Sequence, residues 1–136
     1  MNGNGSGRTI EEKVVSRSFC DWAVWRQSIQ LAAMNDRITS GFPKEEAYGS
    51  TSRIRRSAVS VASNIAEGQG RLSTGEFRQF LGLARGSNYE LRTQMEIARI
   101  LKYGDSKQMD EADGLSHEVG KMLYAMPVKT KALTTD

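Results

Sequence analysis

A chain of 136 residues that is 38% hydrophobic, 7% aromatic and 26% charged holds one domain with one core, and its composition suits a water-soluble helical protein. The longest uncharged apolar run is far too short for a membrane span. No signal-peptide pattern stands at the start and Cys20 has no partner for an internal disulfide, so the expected compartment is the reducing cytoplasm, with no membrane partner. The 19 Lys and Arg against 16 Asp and Glu leave a formal charge of +3, which permits a local nucleic-acid contact without requiring one.

Residues 1–17 are expected to form a flexible leader, because Met1 to Gly7 is Gly, Asn and Ser apart from its Met. A four-helix bundle is expected over 18–127 and a flexible tail over 128–136. Helix one should run from about Asp21 to Ser40, ended by Gly41-Phe42-Pro43, where proline pushes Phe42 into an extended conformation. Helix two should run from about Ser50 to Glu67 and stop at Gly68-Gln69-Gly70. Helix three starts at Ser73, which forms a capping box with Glu76, and ends near Tyr103-Gly104. Asp105 and Gln108 repeat the capping pattern for helix four, which should reach Met126 before Pro127. No strand-like alternation of useful length is present. The fold class is all-α.

The faces of these helices say more than their ends. Helix four carries one narrow stripe of Ala112, Leu115, Val119, Met122, Leu123 and Met126, as a single buried seam requires. Helix one carries two stripes, Trp22, Trp25, Ile29, Ala32 and Ala33 against Val24, Leu31 and Ile38. Helix two has an apolar arc of about 160°, wider than the roughly 100° that a one-sided surface helix needs. An antiparallel bundle buries one face of each helix, so the surplus calls for a cover, and a second copy of the chain is the simplest one. The residues expected at that interface are Val59, Ala62, Ala66, Val24 and Leu31. The alternative is a Trp- and Ala-rich surface tolerated in a monomer.

The sequence offers little chemistry. Gly68-Gln69-Gly70-Arg71-Leu72-Ser73 follows a helix and lacks a Gly-Lys-Ser/Thr ending, so a plain helix–helix turn is expected rather than a phosphate loop. One His and one Cys cannot supply a zinc site or a nucleophilic triad, so no metal, cofactor or catalytic residue is expected. Asp113 and His117 read as a solvated i, i+4 pair. Glu67 and Glu90 would do acid–base work only if buried about 5 to 10 Å apart. A structural role for them, with Gln94, Asn64, Arg53 and Arg56, needs no further assumption. The chain is therefore expected not to be an enzyme, and a small hydrolase using Glu67 and Glu90 is a distant alternative.

The feature with functional weight is basic. Arg78, Arg85, Arg92 and Arg99 repeat every seven residues along helix three, and Arg53, Arg55 and Arg56 cluster at the start of helix two. Arginine suits bidentate contact with phosphate or carboxylate. Arg78, Arg85, Arg92, Arg55 and Arg56 are thus candidates for nucleic-acid contact, with ion pairing to nearby or intersubunit acids as the competing reading. Arg99 drifts closest to the apolar seam and is expected to be structural.

Several short patterns resemble one family in order. Phe19-x-Asp21-x-x-Val24-Trp25, Phe42-Pro43-Lys44-Glu45-Glu46-x-Tyr48-Gly49, Ile54-Arg55-Arg56-Ser57-Ala58-Val59-Ser60-Val61 and Asn64-Ile65-Ala66-Glu67-Gly68-x-Gly70-Arg71 are similar to segments of the bacterial proteins encoded in 23S rRNA intervening sequences. Glu76-Phe77-x-x-Phe80-Leu81 through Glu90-Leu91-x-Thr93-Gln94 follows the same family's third helix. The resemblance spans about Phe19 to Met126. It implies an up-and-down four-helix bundle assembled as a homopentameric ring, and it carries no catalytic residues. A fold relative, the accessory protein of diversity-generating retroelements, is a basic pentamer that binds a reverse transcriptase and nucleic acid. The expected function is a non-enzymatic, self-assembling bundle with RNA or a nucleic-acid-processing protein as partner, or else a structural or protein-interaction ring with no nucleic-acid affinity.

Overall fold

The computed structural model describes the backbone of residues 10–131 and the side chains of 21–126. Its elements are α1 (Ile10–Thr39), a single 3-10 turn (Lys44–Glu46), α2 (Ser50–Gln69), α3 (Thr74–Ile100) and α4 (Ser106–Lys131). Among the described residues there is no strand. The expected leader and tail lie partly outside the described residues, at 1–9 and 132–136.

Two helices are longer than expected. α1 begins at Ile10 rather than near Asp21, with Glu11 and Glu12 at the end where the helix dipole favours negative charge and no Gly or Pro until Gly41. α4 passes through Pro127 to Lys131. Proline removes one backbone donor, which weakens the helix there without ending it. Helix three stops sooner than expected, at Ile100. The Tyr103 N–H bonds the Ala98 carbonyl at 2.9 Å and the Lys102 N–H bonds that of Arg99 at 3.0 Å. This paired closure places Lys102 in the left-handed region at φ 61°. Gly104 follows at φ 78°, with Phe42 only 2.8 Å from where a Cβ would stand, so both backbone and packing require glycine.

The caps at the starts of α3 and α4 form as the sequence indicates. The Glu76 N–H bonds Ser73 Oγ at 3.1 Å, and the Gln108 N–H bonds Asp105 Oδ2 at 2.9 Å. α2 is capped differently. Its Ser50 N–H is met at 3.2 Å by the Glu46 carboxylate from the preceding turn.

All four helices bury residues spaced alternately three and four apart, the spacing of a bundle seam. α1 buries Asp21, Val24, Ser28, Leu31, Asn35 and Ile38, and α2 buries Ile54, Ala58, Val61, Ile65 and Gly68. α3 adds Phe77, Leu81, Ala84, Asn88, Leu91, Met95 and Ala98, and α4 adds Met109, Ala112, Ser116, Val119, Leu123 and Met126. Each helix packs on two others (α1 on α2 and α4, α3 on α2 and α4), and among the described residues the backbones of the diagonal pairs stay more than 8 Å apart, Cα to Cα. Truncating a seam leucine such as Leu91 to Ala costs about 2–5 kcal/mol at such positions.

One expectation fails here. Val24 and Leu31 are 0% exposed within the single chain, so they belong to its own core and offer nothing to a second copy. Their stripe looked like surplus because the rest of the inner face of α1 is polar (Ser28, Asn35 and Asp21). A search for apolar periodicity alone could not see it as the core face.

Candidate functional surfaces

The α1/α2 side carries one exposed apolar face, and α3 exposes further apolar side chains at Leu83, Tyr89, Ile97 and Ile100. Trp22, Ile29 and Val59 are 52%, 42% and 55% exposed, Ala33 and Ala66 are also exposed, and Trp25, Ala32 and Ala62 are half-buried beside them. Of the expected interface set, Val59 and Ala66 thus lie open and Ala62 partly so. Arg55 is fastened across this seam. Its Nε donates to Thr39 Oγ1 at 2.8 Å and lies 3.3 Å from Asp36 Oδ1, and its Nη2 reaches the Asp36 carbonyl at 3.2 Å. The neighbouring Arg56 is exposed and bonds only Ser52 Oγ among its described partners, at 3.2 Å.

The α3/α4 side holds the arginine stripe, half-buried along its length. The Arg85 guanidinium lies 5.1 Å from the centre of the Tyr124 ring. Arg92 Nη2 lies 2.7 Å from His117 Nδ1. Arg99 Nη1 bonds Asp110 Oδ1, and its Nε lies 3.7 Å from Glu96 Oε1. The partners on α4 step by seven as well, 124, 117 and 110. Arginine has only donors, so His117 must accept at Nδ1 and carry its proton on Nε2. Asp113 was expected to be the neighbour of His117, but the ring instead takes Arg92. Arg99, expected to be structural, is ion-paired within the chain just outside the seam, and the Asp110 hydrogen bond raises its pKa above the ordinary arginine value. Arg85 and Arg92 differ in having neutral partners, which position the guanidinium without cancelling its charge. Beside them a 470 Å³ cleft is lined by Tyr89, Arg92, Thr93, Glu96, Ile97 and Asp113.

The α2/α3 side is a polar groove of 290 Å³ lined by Arg53, Arg56, Ser57, Ser60, Glu90 and Gln94. Ser57 Oγ donates to Gln94 Oε1 at 3.0 Å, and the Ser60 and Ser87 hydroxyls meet at 2.8 Å. Asn64 bonds Ser60 rather than either glutamate. Glu90 lies 3.5 Å from Gln94 Nε2, whereas Glu67 pairs with Arg71 at 3.7 Å. Gly68, next to Glu67, packs on Phe80, ten residues before Glu90 and therefore about 15 Å away along the helix. The two carboxylates share no site. Arg71 lies 4.6 Å from the centre of the Phe80 ring, so the glycine turn directs its cation onto an aromatic. Among the described residues no group of three His, Cys, Asp or Glu side chains gathers, and no helix is long and apolar enough to cross a membrane.

A family model described as 23S rRNA-intervening sequence protein matches residues 20–125. Among solved structures, the chain is similar to a protein of unknown function from the S23 ribosomal protein family of Bacteroides thetaiotaomicron VPI-5482. The TM-score is 0.74 at 22% identity, over 80% of this chain and 98% of that one, which is a likeness of fold. No curated protein matches.

Proposed function

The chain belongs to the 23S rRNA-intervening sequence protein family, and from that premise we propose that it is a non-enzymatic scaffold that assembles with copies of itself in the cytoplasm. Its subunit is an antiparallel up-and-down bundle. Contacts in opposite sequence order support this: Ser57 with Gln94 and Ser60 with Ser87 across α2/α3, then Arg85 with Tyr124, Arg92 with His117 and Arg99 with Asp110 across α3/α4. The assembly is a homopentameric ring, the number five resting on the family resemblance.

The observation that carries the proposal is the open apolar face of α1 and α2. In the antiparallel register fixed by Arg55 and Thr39, Ala62 stands level with Ala32, with Val59, Ala66 and Ile29 about one turn away and Trp22 about 15 Å from Ala32 along α1. Each large side chain fully removed from water contributes about 1.5–3 kcal/mol, so Trp22, Ile29 and Val59 together favour association strongly. A continuous patch of this kind marks an interaction site on a soluble protein. Light scattering on a sizing column tests the assembly, and a monomer at micromolar concentration overturns it.

One observation favours a second reading. Arg85 and Arg92 keep their charge against neutral partners, and Arg53, Arg56 and Arg78 add to the basic surface, so a ring would multiply sites for RNA or for a nucleic-acid-processing partner. Such binding is weakly selective and steeply salt-dependent, because each neutralised phosphate releases counterions. Filter binding at two salt concentrations tests it. No binding by the intact assembly at low salt leaves the purely structural or protein-interaction ring.

A further inference from the structure

We propose that the core holds one ordered water molecule between α1, α3 and α4, hydrogen-bonded to Asn35. Asn35 is 0% exposed and sits at a seam position where an apolar side chain would serve better. Its Nδ2 donates to the Leu31 carbonyl at 2.9 Å, which fixes the orientation of the amide, because a carbonyl oxygen can only accept. Asn35 Oδ1 is then buried with no protein partner. Asn35 lines a cavity of about 10 Å³ together with Ser116, Arg92 and Asp113 and the apolar Leu31, Leu91, Met95 and Ala112. That is the volume of about one water-sized sphere, and although most of the wall is apolar, Asn35 and Ser116 bring to it the two polar groups that a buried water needs.

Ser116 is the second anchor. Its hydroxyl donates to Asn88 Oδ1 at 2.9 Å, and its carbonyl accepts from Asn88 Nδ2 at 3.0 Å. The hydroxyl oxygen therefore keeps lone pairs for a water proton. A water donating to Asn35 Oδ1 and to Ser116 Oγ joins α1 to the Asn88–Ser116 pair and makes one polar layer across three helices. The other buried hydroxyls of α1 do not make that link, since Ser28 and Thr39 donate to carbonyls of their own helix. A polar residue at a seam position costs stability and fixes which register the helices adopt. Arg92 and Asp113 border both this cavity and the outer cleft, so the water exchanges with solvent past them.

A crystal structure of the full chain at a resolution that shows ordered solvent decides the matter directly. The expected result is a single water about 3 Å from Asn35 Oδ1. An empty cavity, or an Asn35 amide turned to a protein partner, overturns the proposal. In solution, the Asn35 side-chain amide protons of the wild-type chain should show magnetisation transfer from a long-lived water, and absence of that transfer overturns it equally. A crystal structure of Asn35→Leu should lack the water and the variant's melting temperature should rise by a few degrees, while a Leu variant whose crystal still shows the water refutes Asn35 as its anchor. Both wild-type measurements stand even if that variant folds poorly.

Discussion

The two sides of the bundle that flank α1/α2 and α3/α4 solve the same problem in opposite ways. Each has a row of side chains just outside the seam, where a helix is neither core nor surface. On α3/α4 that row is arginine, and three of its members find partners on the facing helix within the same chain. On α1/α2 the row is Trp, Ile, Val and Ala, and its polar closure among the described residues is limited to Arg55 and to Arg26, whose guanidinium lies 5.2 Å from the centre of the Trp22 ring. Long cationic side chains lay their stems over apolar surface and leave the charge near water, so they finish a surface. Short apolar ones cannot. The lesson is that an unfinished seam, rather than a charged one, is the better mark of where another chain belongs.

The strongest way to break this comparison is to charge the unfinished side. Val59→Asp and Ala66→Asp place carboxylates on exposed positions, so the subunit should keep its helicity by circular dichroism. A buried unpaired charge costs several kcal/mol, so each variant is expected to reduce the assembly to monomers by light scattering. Ala66→Asp is more informative than a charge at Ala62, whose partial burial between α1 and α2 would confuse loss of assembly with loss of fold. An unchanged assembly in both variants would move the interface elsewhere.

Charge removal on the finished side should do much less. Arg85→Ala loses the stacking on Tyr124, and Asp110→Ala leaves Arg99 with Glu96 alone. Exposed contacts of these kinds are each worth about 0.5–1 kcal/mol, so the melting temperature should fall by a few degrees with the oligomer size unchanged. If either substitution dissociates the assembly, the stripe is an interface and the comparison is wrong. Arg92→Ala with Arg85→Ala sharpens it further, by removing two cations whose partners on α4 are not acidic. Under the RNA reading that double variant weakens binding to all sequences alike and flattens its salt dependence.

How far these features could be read from sequence follows from their range. Local signals were legible: the caps at Ser73 and Asp105, the stop around Gly104, and the seam of helix four, whose core face is apolar almost throughout. The inner face of α1 was not, because Ser28, Asn35 and Asp21 interrupt the apolar period. The consequence was that Val24 and Leu31 were expected at an interface. The arginine spacing was visible, but the matching spacing of Tyr124, His117 and Asp110 means nothing until the register of α3 against α4 is known. The cap of α2 was missed because it comes from Glu46, four residues upstream of Ser50, and no local capping pattern describes that geometry.

That cap supplies the smallest expected effect, and it lies where α1 hands over to α2. Gly49 stands at the N-cap position and has no side chain to offer the first free amides of α2. Glu46 fills the role, and the backbone hydrogen bond from Ser50 is the main reason its pKa is lowered, with the Ser50 side chain, Tyr103 and Arg53 acting in the same direction. A carboxyl group whose pKa is lower folded than unfolded stabilises the fold at pH above its unfolded value. It loses that contribution as the pH falls through its folded value. Glu46→Gln keeps the shape and an acceptor oxygen but removes the charge beside the helix N-terminus. The wild type should therefore melt slightly above the variant at neutral pH, and the gap should close as the solution is acidified below the ordinary glutamate range. Thermal melts of the two chains across that range check it. A gap that persists or widens in acid would mean that Glu46 acts by packing rather than by charge, and that another group caps α2.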